Sequence, residues 1–415
     1  MPAAPLLPSD ARTLAVVAIF GVVYLGMLLG GLPRLRLDRT GVALLGAIAI
    51  VAVGELSLEQ AAASVHLPTI LLLFSFMVIS AQMRLGGFYA ALTRRIVALP
   101  LAPPMLLGVV IVAAGALSAV FSNDIVCLAM APVLVHACLG RRLDPVPFLL
   151  ALACASNIGS AATLIGNPQN MLIGEVLALD FTAFLRDTAW PVAASLGLLW
   201  VMLHRSARPV PRSLPAPGDD EAPPFDRWQT AKGLIVVAAL VLVFLATDWP
   251  RDVAALLGAG VLLLSQRFHS SQVMGLIDWE LLVLFIGLFV VNHALAHTGV
   301  TAQTVAWLQA QGLHLGEPGP LFGVTLLLSN LVSNVPAVML LLPVVEGQSP
   351  HAAGLTLALV STLAGNLLIV GSIANIIVVD AARRQGVHID WWRHARTGVP
   401  VTLATLAIAA VWLSF

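Results

Sequence analysis

Charge is what this sequence has least of: Asp, Glu, Lys and Arg make up 10% of its 415 residues, while 59% are hydrophobic and the mean hydropathy is +0.95. Charged residues normally account for about 25% of a globular domain. The shortage excludes an ordinary soluble fold and points to membrane helices, each needing about 20 apolar residues to cross a hydrocarbon core of about 30 Å. Strict alternation of apolar and polar residues over about ten positions, the mark of a transmembrane β-barrel, is also missing. An all-α polytopic membrane protein is therefore expected. The 21 basic and 21 acidic residues cancel, and no basic cluster suits nucleic acid, so none is expected as a partner.

Other absences narrow the function. There are three cysteines, Cys127, Cys138 and Cys154, an odd number scattered through apolar sequence. They read as small buried thiols in preference to a disulfide or a thiol-based metal or arsenical site. No Gly-x-Ser-x-Gly or His-Glu-x-x-His occurs, so no nucleophile–base set of an intramembrane enzyme is visible. No P-loop occurs, which argues against an ATP-driven pump. The expectation is a protein that is not an enzyme and carries no cofactor. Met1 to Asp10 has no basic n-region, so the first apolar run is expected to be a retained span and not a cleaved signal.

What is present is a series of apolar spans at about 12–30, 40–54, 68–83, 147–178, 183–203, 230–247, 252–266, 278–296, 352–380 and 396–414. Two further stretches, about 103–139 and 319–346, are too long for one span and carry Ser-Asn at their centres. They read as re-entrant helical hairpins, tolerated where the backbone is buried in protein or lines a cavity. The expected fold is about ten transmembrane helices plus two re-entrant hairpins. With both termini outside, the alternation of these crossings leaves only Arg12, Arg186 and Arg251 of the 21 basic residues outside, as the positive-inside rule requires. Arg34, Arg36, Arg39, Arg84, Arg94, Arg95, Arg141, Arg142, Arg267, Arg383, Arg384, Arg393 and Arg396 fall inside. A cell-membrane location with a cytoplasmic central linker follows.

That linker, residues 204–229, is rich in proline and carries the run Asp219-Asp220-Glu221. It divides the chain into 11–203 and 230–415, which invites a search for a repeat. Leu71 to Phe74 matches Leu282 to Phe285, and Ser118, Ser122, Asn123 and Pro132 match Ser329, Ser333, Asn334 and Pro343, all 211 residues apart. Ser156, Gly166 and Asn170 match Ser361, Gly371 and Asn375 at a spacing of 205. Each half holds five crossings, an odd number, so the second half must be inverted relative to the first. Inverted repeats with a broken helix in each half are a sequence mark of secondary transporters with a midplane site.

The breaks are Gly166-Asn167-Pro168-Gln169-Asn170 and Gly371-Ser372-Ile373-Ala374-Asn375. Proline has no N–H and clashes with the preceding turn, and glycine lets backbone approach an ion closely. The second break lacks the proline, so its unwinding is less well specified. Asn366 is placed with this site. Thr163 and Ser160 either add hydroxyls or back-bond to their own helix. Ser156 and Asn157 precede the first break on the same helix.

At the hairpin tips, Ser122, Asn123, Ser333 and Asn334 supply oxygens and amide donors. The helix N-termini that follow favour an anion. The candidate Na⁺ ligands are Ser122, Asn123, Gly166, Asn170, Ser333, Asn334, Gly371 and Asn375. Asp124 stands in the longest apolar neighbourhood of any carboxylate. Such a group is costly within a membrane and usually marks an ion, proton or substrate path, and burial favours its protonated form. It reads as the proton-coupling residue, or as a cap for the second hairpin arm. Its repeat partner is Val335, so the half-sites are not equivalent. His293 and His297 are two ligands without a third and read as interfacial. Stretches about 85–98 and 299–312 read as interfacial amphipathic helices.

The Ser-Asn tips, Ser156-Asn157-Ile158-Gly159…Gly166-Asn167-Pro168-Gln169-Asn170 and Gly365-Asn366…Gly371-Ser372-Ile373-Ala374-Asn375 together resemble the ion transporter superfamily. That group includes citrate and dicarboxylate/sodium symporters, arsenite permeases and a sodium/proton antiporter branch. The similarity covers nearly the whole chain except the linker. Asn123-Asp124 is similar to the arsenite permease pattern, and Gly-Asn-Pro-Gln-Asn looks most like a branch of predicted anion permeases. The resemblance implies that tips and breaks bind substrate and cation, that the chain forms a homodimer through scaffold helices, and that a transport unit moves like an elevator. The second tip, Ser333-Asn334-Val335, lacks the threonine of the dicarboxylate motif, and no Arg or Lys lies near a tip or break. The expected solute is a small anion or a neutral oxyacid such as arsenite, coupled to H⁺ or Na⁺. A Na⁺/H⁺ antiporter and an ion channel are the alternatives.

Overall fold

The computed structural model describes residues 9–32, 35–209, 223–345 and 349–414. Arg34, most of the N-terminal stretch, the acidic run Asp219-Asp220-Glu221 and the last residue assigned to the second hairpin lie outside them. The described chain is helical apart from a two-residue antiparallel ribbon that pairs Gly31 with Asp38 and Leu32 with Leu37. The first half runs α1 (Ser9–Leu29), α2 (Arg39–Ala52), α3 (Leu58–Ala63), α4 (Leu67–Leu85) and α5 (Phe88–Ala98). It continues with α6 (Pro103–Val120), α7 (Asn123–Gly140), α8 (Pro145–Ser160), α9 (Pro168–Val176) and α10 (Phe181–Leu203). After the linker come α11 (Arg227–Ala246), α12 (Arg251–Leu263), α13 (Ser270–Met274), α14 (Trp279–His297) and α15 (Val300–Ala310). The second half closes with α16 (Pro318–Val332), α17 (Asn334–Val345), α18 (Pro350–Ala364), α19 (Ile373–Arg384) and α20 (Trp391–Leu413). Among the described residues, ten α-helices in each half follow the same order, so each has its partner ten places on.

Punctuation in the sequence sets these boundaries. Asp38, Asp144, Asp180, Asp226, Asp278 and Asp390 each accept a backbone N–H at the start of a helix, replacing a bond that the helix cannot make internally. Prolines open α6, α8, α9, α16 and α18, where their missing N–H costs nothing. Gly87 and Gly299, with φ of 68° and 79°, turn the chain by left-handed backbone into α5 and α15 at equivalent places. They stand where amphipathic helices are expected, but only α5 has a buried face, with Tyr89, Thr93, Ile96 and Val97; α15 has no buried residue among those described.

Among the described residues, seven helices are long and apolar enough to cross a membrane alone, both arms of the first hairpin among them. The halves interlock: α2 packs chiefly on α14, and its partner α12 packs on α4. In each half the first hairpin arm lies along the broken helix, α6 on α8 and α16 on α18, and α10 meets α20 between the halves. The change in repeat spacing from 211 to 205 has a local cause. Helix α7 has 18 residues and its partner α17 has 12. The second hairpin is shorter by less than two turns, and everything after it shifts.

Candidate functional site

Both predicted breaks are real. Helix α8 stops at Ser160 and α9 begins at Pro168; α18 stops at Ala364 and α19 begins at Ile373, with a single 3₁₀ turn between. A helix end leaves carbonyls without partners, and here an asparagine from the next helix takes them. Asn170 Nδ2 donates to the carbonyls of Ser160 and Thr163 at 3.3 and 2.9 Å. Asn375 Nδ2 donates to those of Gly365 and Leu368 at 2.9 and 3.0 Å. All three positions are related by the 205-residue spacing. The second break is therefore held open without a proline, and the expectation that its unwinding is less well specified is corrected.

The two half-sites meet through amides. Asn157 Oδ1 accepts from Asn123 Nδ2 at 3.1 Å and from the Ser372 hydroxyl at 2.9 Å. Its Nδ2 donates to Asn366 Oδ1 at 2.9 Å and reaches Asn375 Oδ1 at 3.4 Å. One asparagine thus joins the first hairpin tip to the broken helix of the other half. Asn167 Nδ2 donates to Ser160 Oγ at 2.9 Å and to Thr362 Oγ1 at 3.2 Å, and Gln169 Nε2 reaches the same threonine at 3.2 Å. Asn167 Oδ1 in turn caps α9 through Asn170 N–H at 2.8 Å.

The first tip is pinned from both sides. Asn123 N–H donates to the Gly166 carbonyl at 3.2 Å, and its own carbonyl accepts from Ser156 Oγ at 3.0 Å. Ser156 Oγ also lies 2.8 Å from Ser118 Oγ. Gly166 has no room for a side chain, since a Cβ would lie 2.7 Å from Ser160 Cα and 2.8 Å from the Ser118 carbonyl oxygen. Gly371 is less confined, with its nearest neighbour, the Gly365 carbonyl oxygen, at 3.0 Å. The second tip carries backbone strain: Ser333 sits at φ 78°, ψ 160°, a region held almost only by glycine. Ser122, its partner, is at φ −55°, ψ 125°, which any residue adopts.

Several side-chain oxygens are buried with no hydrogen-bond partner among the described residues: Asn123 Oδ1, Asn170 Oδ1 and Asn334 Oδ1. The first and last hold equivalent places in the two hairpins. Buried polar atoms normally find partners, so these oxygens stand out at the two tips and the first break. Asp124 is half-buried at the start of α7, and its carboxylate makes no hydrogen bond or ion pair with any described residue. It does not cap its own helix by a side-chain bond. Val335 fills the equivalent place in the second half.

Of the two open readings for the hydroxyls, Ser160 does both, back-bonding to the Asn157 carbonyl at 2.8 Å while accepting from Asn167. Thr163 Oγ1 instead bonds the Ala119 carbonyl at 2.5 Å on the neighbouring hairpin arm. The hydroxyls of Ser122 and Ser333 bond no described residue. His293 and His297 are exposed and bond no member of the network, and His297 Nδ1 is 3.0 Å from Glu55 Oε1. The three cysteines are buried and unpaired. Sequence reasoning missed Thr362, Gln169, Asn330 and His394. Thr362 could have been found as the repeat partner of Asn157. Asn330, whose Oδ1 is buried without a partner, and His394, whose Nε2 lies 3.2 Å from the Asn366 carbonyl, carried no signal beyond being polar.

Two inverted halves, each with a hairpin and a broken helix, meeting in a buried set of amides and hydroxyls, define an α-helical membrane transporter. The chain belongs to the citrate transporter (CitMHS) family, whose model matches residues 15–364. It is 30% identical to an uncharacterized transporter of Mycobacterium tuberculosis over 91% of this chain and 94% of that one. A silicon efflux transporter of rice, Oryza sativa subsp. japonica, is 29% identical over 94% of this chain and 95% of that one. The crystal structure of the Alcanivorax borkumensis YdaH transporter shares the fold, with a TM-score of 0.59 and 16% identity over 98% and 97% of the two chains.

Proposed function

We propose that the chain is a secondary active carrier for a small, weakly charged or neutral oxyacid of the silicic or arsenous acid kind. The observation that carries this reading is the make-up of the network. Asn123, Asn157, Ser372, Asn366 and Asn375 bond one another and backbone, and no Arg or Lys reaches them among the described residues. A di- or tricarboxylate is normally met by cationic donors, bidentate arginine above all. A hydroxyl-rich neutral solute needs amides and hydroxyls that both donate and accept. The rice relative, a silicon efflux transporter, supports the same class.

Coupling is assigned to two elements. Asp124, half-buried and unpartnered, carries the proton. Ser122, Asn123, Gly166 and Asn170, with Ser333, Asn334, Gly371 and Asn375, are the candidate Na⁺ ligands, and the unpartnered Oδ1 atoms of Asn123, Asn170 and Asn334 lead them. The hairpins and broken helices are the transport unit. The scaffold comprises α1, α2, α4, α11, α12 and α14, along which the unit shifts by an elevator motion. The protein is placed in the cell membrane as a homodimer, termini outside and linker in the cytoplasm.

Reconstituted protein loaded with silicic acid or arsenite, and separately with citrate, tests the reading under imposed Na⁺ and pH gradients. Gradient-driven flux of the oxyacid is expected. Citrate flux with no oxyacid flux overturns it. The lone carboxylate also supports a second reading, a Na⁺/H⁺ antiporter, which a pH-sensitive dye would report as proton movement driven by Na⁺ alone.

A further inference from the structure

The two halves are alike in sequence order but not in conformation, and one ion pair shows the difference. Arg251, the first residue of α12, lies 2.9 Å from Glu175 near the end of α9, with side chains only 13% and 12% exposed. Its guanidinium also donates to the carbonyls of Leu179 at 3.0 Å and Gly174 at 2.7 Å. It thereby ties the scaffold of one half to the broken helix of the other. The equivalent residues in the opposite halves are Arg39, the first residue of α2, and Asp380 on α19, which stands 205 residues after Glu175. The same pair of charges is thus present a second time.

In this structure the second pair is apart. Arg39 Nε donates to the Met27 carbonyl at 3.1 Å. Asp380 pairs at 2.8 Å with Arg384 on its own helix and is 45% exposed. The surroundings agree: α9 packs against α4, whereas its partner α19 has no comparable packing on α14 among the described residues. Helix α5 is half-buried and its partner α15 is not. The positive-inside reading puts Arg251 and Glu175 at the outer face and Arg39 and Asp380 at the inner face.

We propose that these are two alternating latches, and that the Arg39–Asp380 pair closes when the Arg251–Glu175 pair opens. The inference rests on the alternating-access reading above. If two inverted halves exchange conformations, the protein turns from one side to the other, and each contact made by one half is made by its partner half in the other state. Arg251 then releases three oxygens, and Arg39 and Asp380 leave Met27 and Arg384 for each other. A shut latch holds one state until solute and coupling ion change the balance.

Both pairs straddle the linker, which makes the test direct. In full-length protein with Cys127, Cys138 and Cys154 replaced by alanine, a protease site is placed in the linker. Arg251→Cys with Glu175→Cys, and separately Arg39→Cys with Asp380→Cys, are then oxidised in proteoliposomes. After cleavage, a cross-link keeps the two fragments together on a non-reducing gel. Both pairs are expected to cross-link. Adding Glu175→Gln to the Arg39→Cys/Asp380→Cys protein is expected to raise its yield at least about fivefold, the most that an exposed ion pair gives, this pair being mostly buried. A charge exchange, Arg251→Glu with Glu175→Arg, is expected to return it. A yield at the level of a distant control pair, in vesicles that still move silicic acid or arsenite, overturns the latches and leaves the carrier reading standing. Cross-linking of both pairs in vesicles that move neither solute supports the latches and counts against that solute class.

Discussion

Asn157 and Thr362 hold the same place in the two halves, and each reaches across to the broken helix of the other: Asn157 to Ser372 at 2.9 Å, Thr362 to Asn167 at 3.2 Å. Ser372 and Asn167 are themselves repeat partners. One contact is thus made twice at repeat-related positions, with different side chains on the two sides. Through this contact the two halves share one buried hydrogen-bond network.

Asn157→Ala removes the hub. Asn123 Nδ2, the Ser372 hydroxyl and Asn366 Oδ1 lose a partner together, and each unpaired buried polar group costs about 1–3 kcal/mol. Thermal unfolding in detergent is expected to show a loss of about 3 kcal/mol or more, with transport abolished. Thr362→Val, which unpairs Gln169 Nε2 but leaves Asn167 Nδ2 its bond to Ser160, is expected to cost less than half as much. Equal effects would show that the hub is not at Asn157.

Asp124→Asn keeps the shape of the side chain and breaks no bond to a described residue, so folding is expected to be unchanged. Solute currents on solid-supported membranes are expected to lose their dependence on the pH gradient. Full pH-dependent transport in the variant removes Asp124 from proton coupling.

Pro168→Ala and Asn170→Ala separate two causes of the first break. The asparagine amide holds two carbonyls, whereas the proline only opens α9, a place where other residues are tolerated. Pro168→Ala is expected to cost under about 1 kcal/mol, and Asn170→Ala about 2–3 kcal/mol from unpaired carbonyls. Stability measured by chemical unfolding in detergent distinguishes them, and the reverse ranking refutes the assignment.

Gly166→Ala and Gly371→Ala are expected to differ. The first forces a Cβ against the Ser160 Cα and the Ser118 carbonyl, and is expected to abolish folding or lower the midpoint sharply, since backbone cannot yield as a side chain does. The second meets one atom at 3.0 Å and is expected to leave folded protein with reduced transport. Yield of monodisperse protein is the measurement.

Ser333→Gly relieves a backbone conformation that costs about 1–3 kcal/mol for a residue with a side chain. A gain of about 1 kcal/mol in unfolding stability is expected after allowing for the greater freedom of glycine in the unfolded chain. A loss of stability would mean that the serine hydroxyl contributes more than the strain removes.

The sequence by itself determined the class of fold, the order of helices and the position of both breaks. These follow from hydropathy, from proline and aspartate at helix starts, and from polar interruptions in apolar runs, all of which act over a few residues. It also located Asn123, Asn334, Asn170 and Asn375, because a repeat in sequence marks equivalent positions. Only the tertiary structure decided that Asn157 is the hub, that Asn170 and Asn375 close the carbonyls of their own breaks, and that Thr362 and His394 belong with the site. These contacts join residues from opposite halves or across a loop, and which side chains meet there depends on how the helices pack. The strain at Ser333 but not Ser122, and the closed Arg251–Glu175 pair beside the open Arg39–Asp380 pair, lie beyond the reach of sequence for a further reason. The halves carry matching residues in different conformations, and a sequence repeat cannot show which half has adopted which.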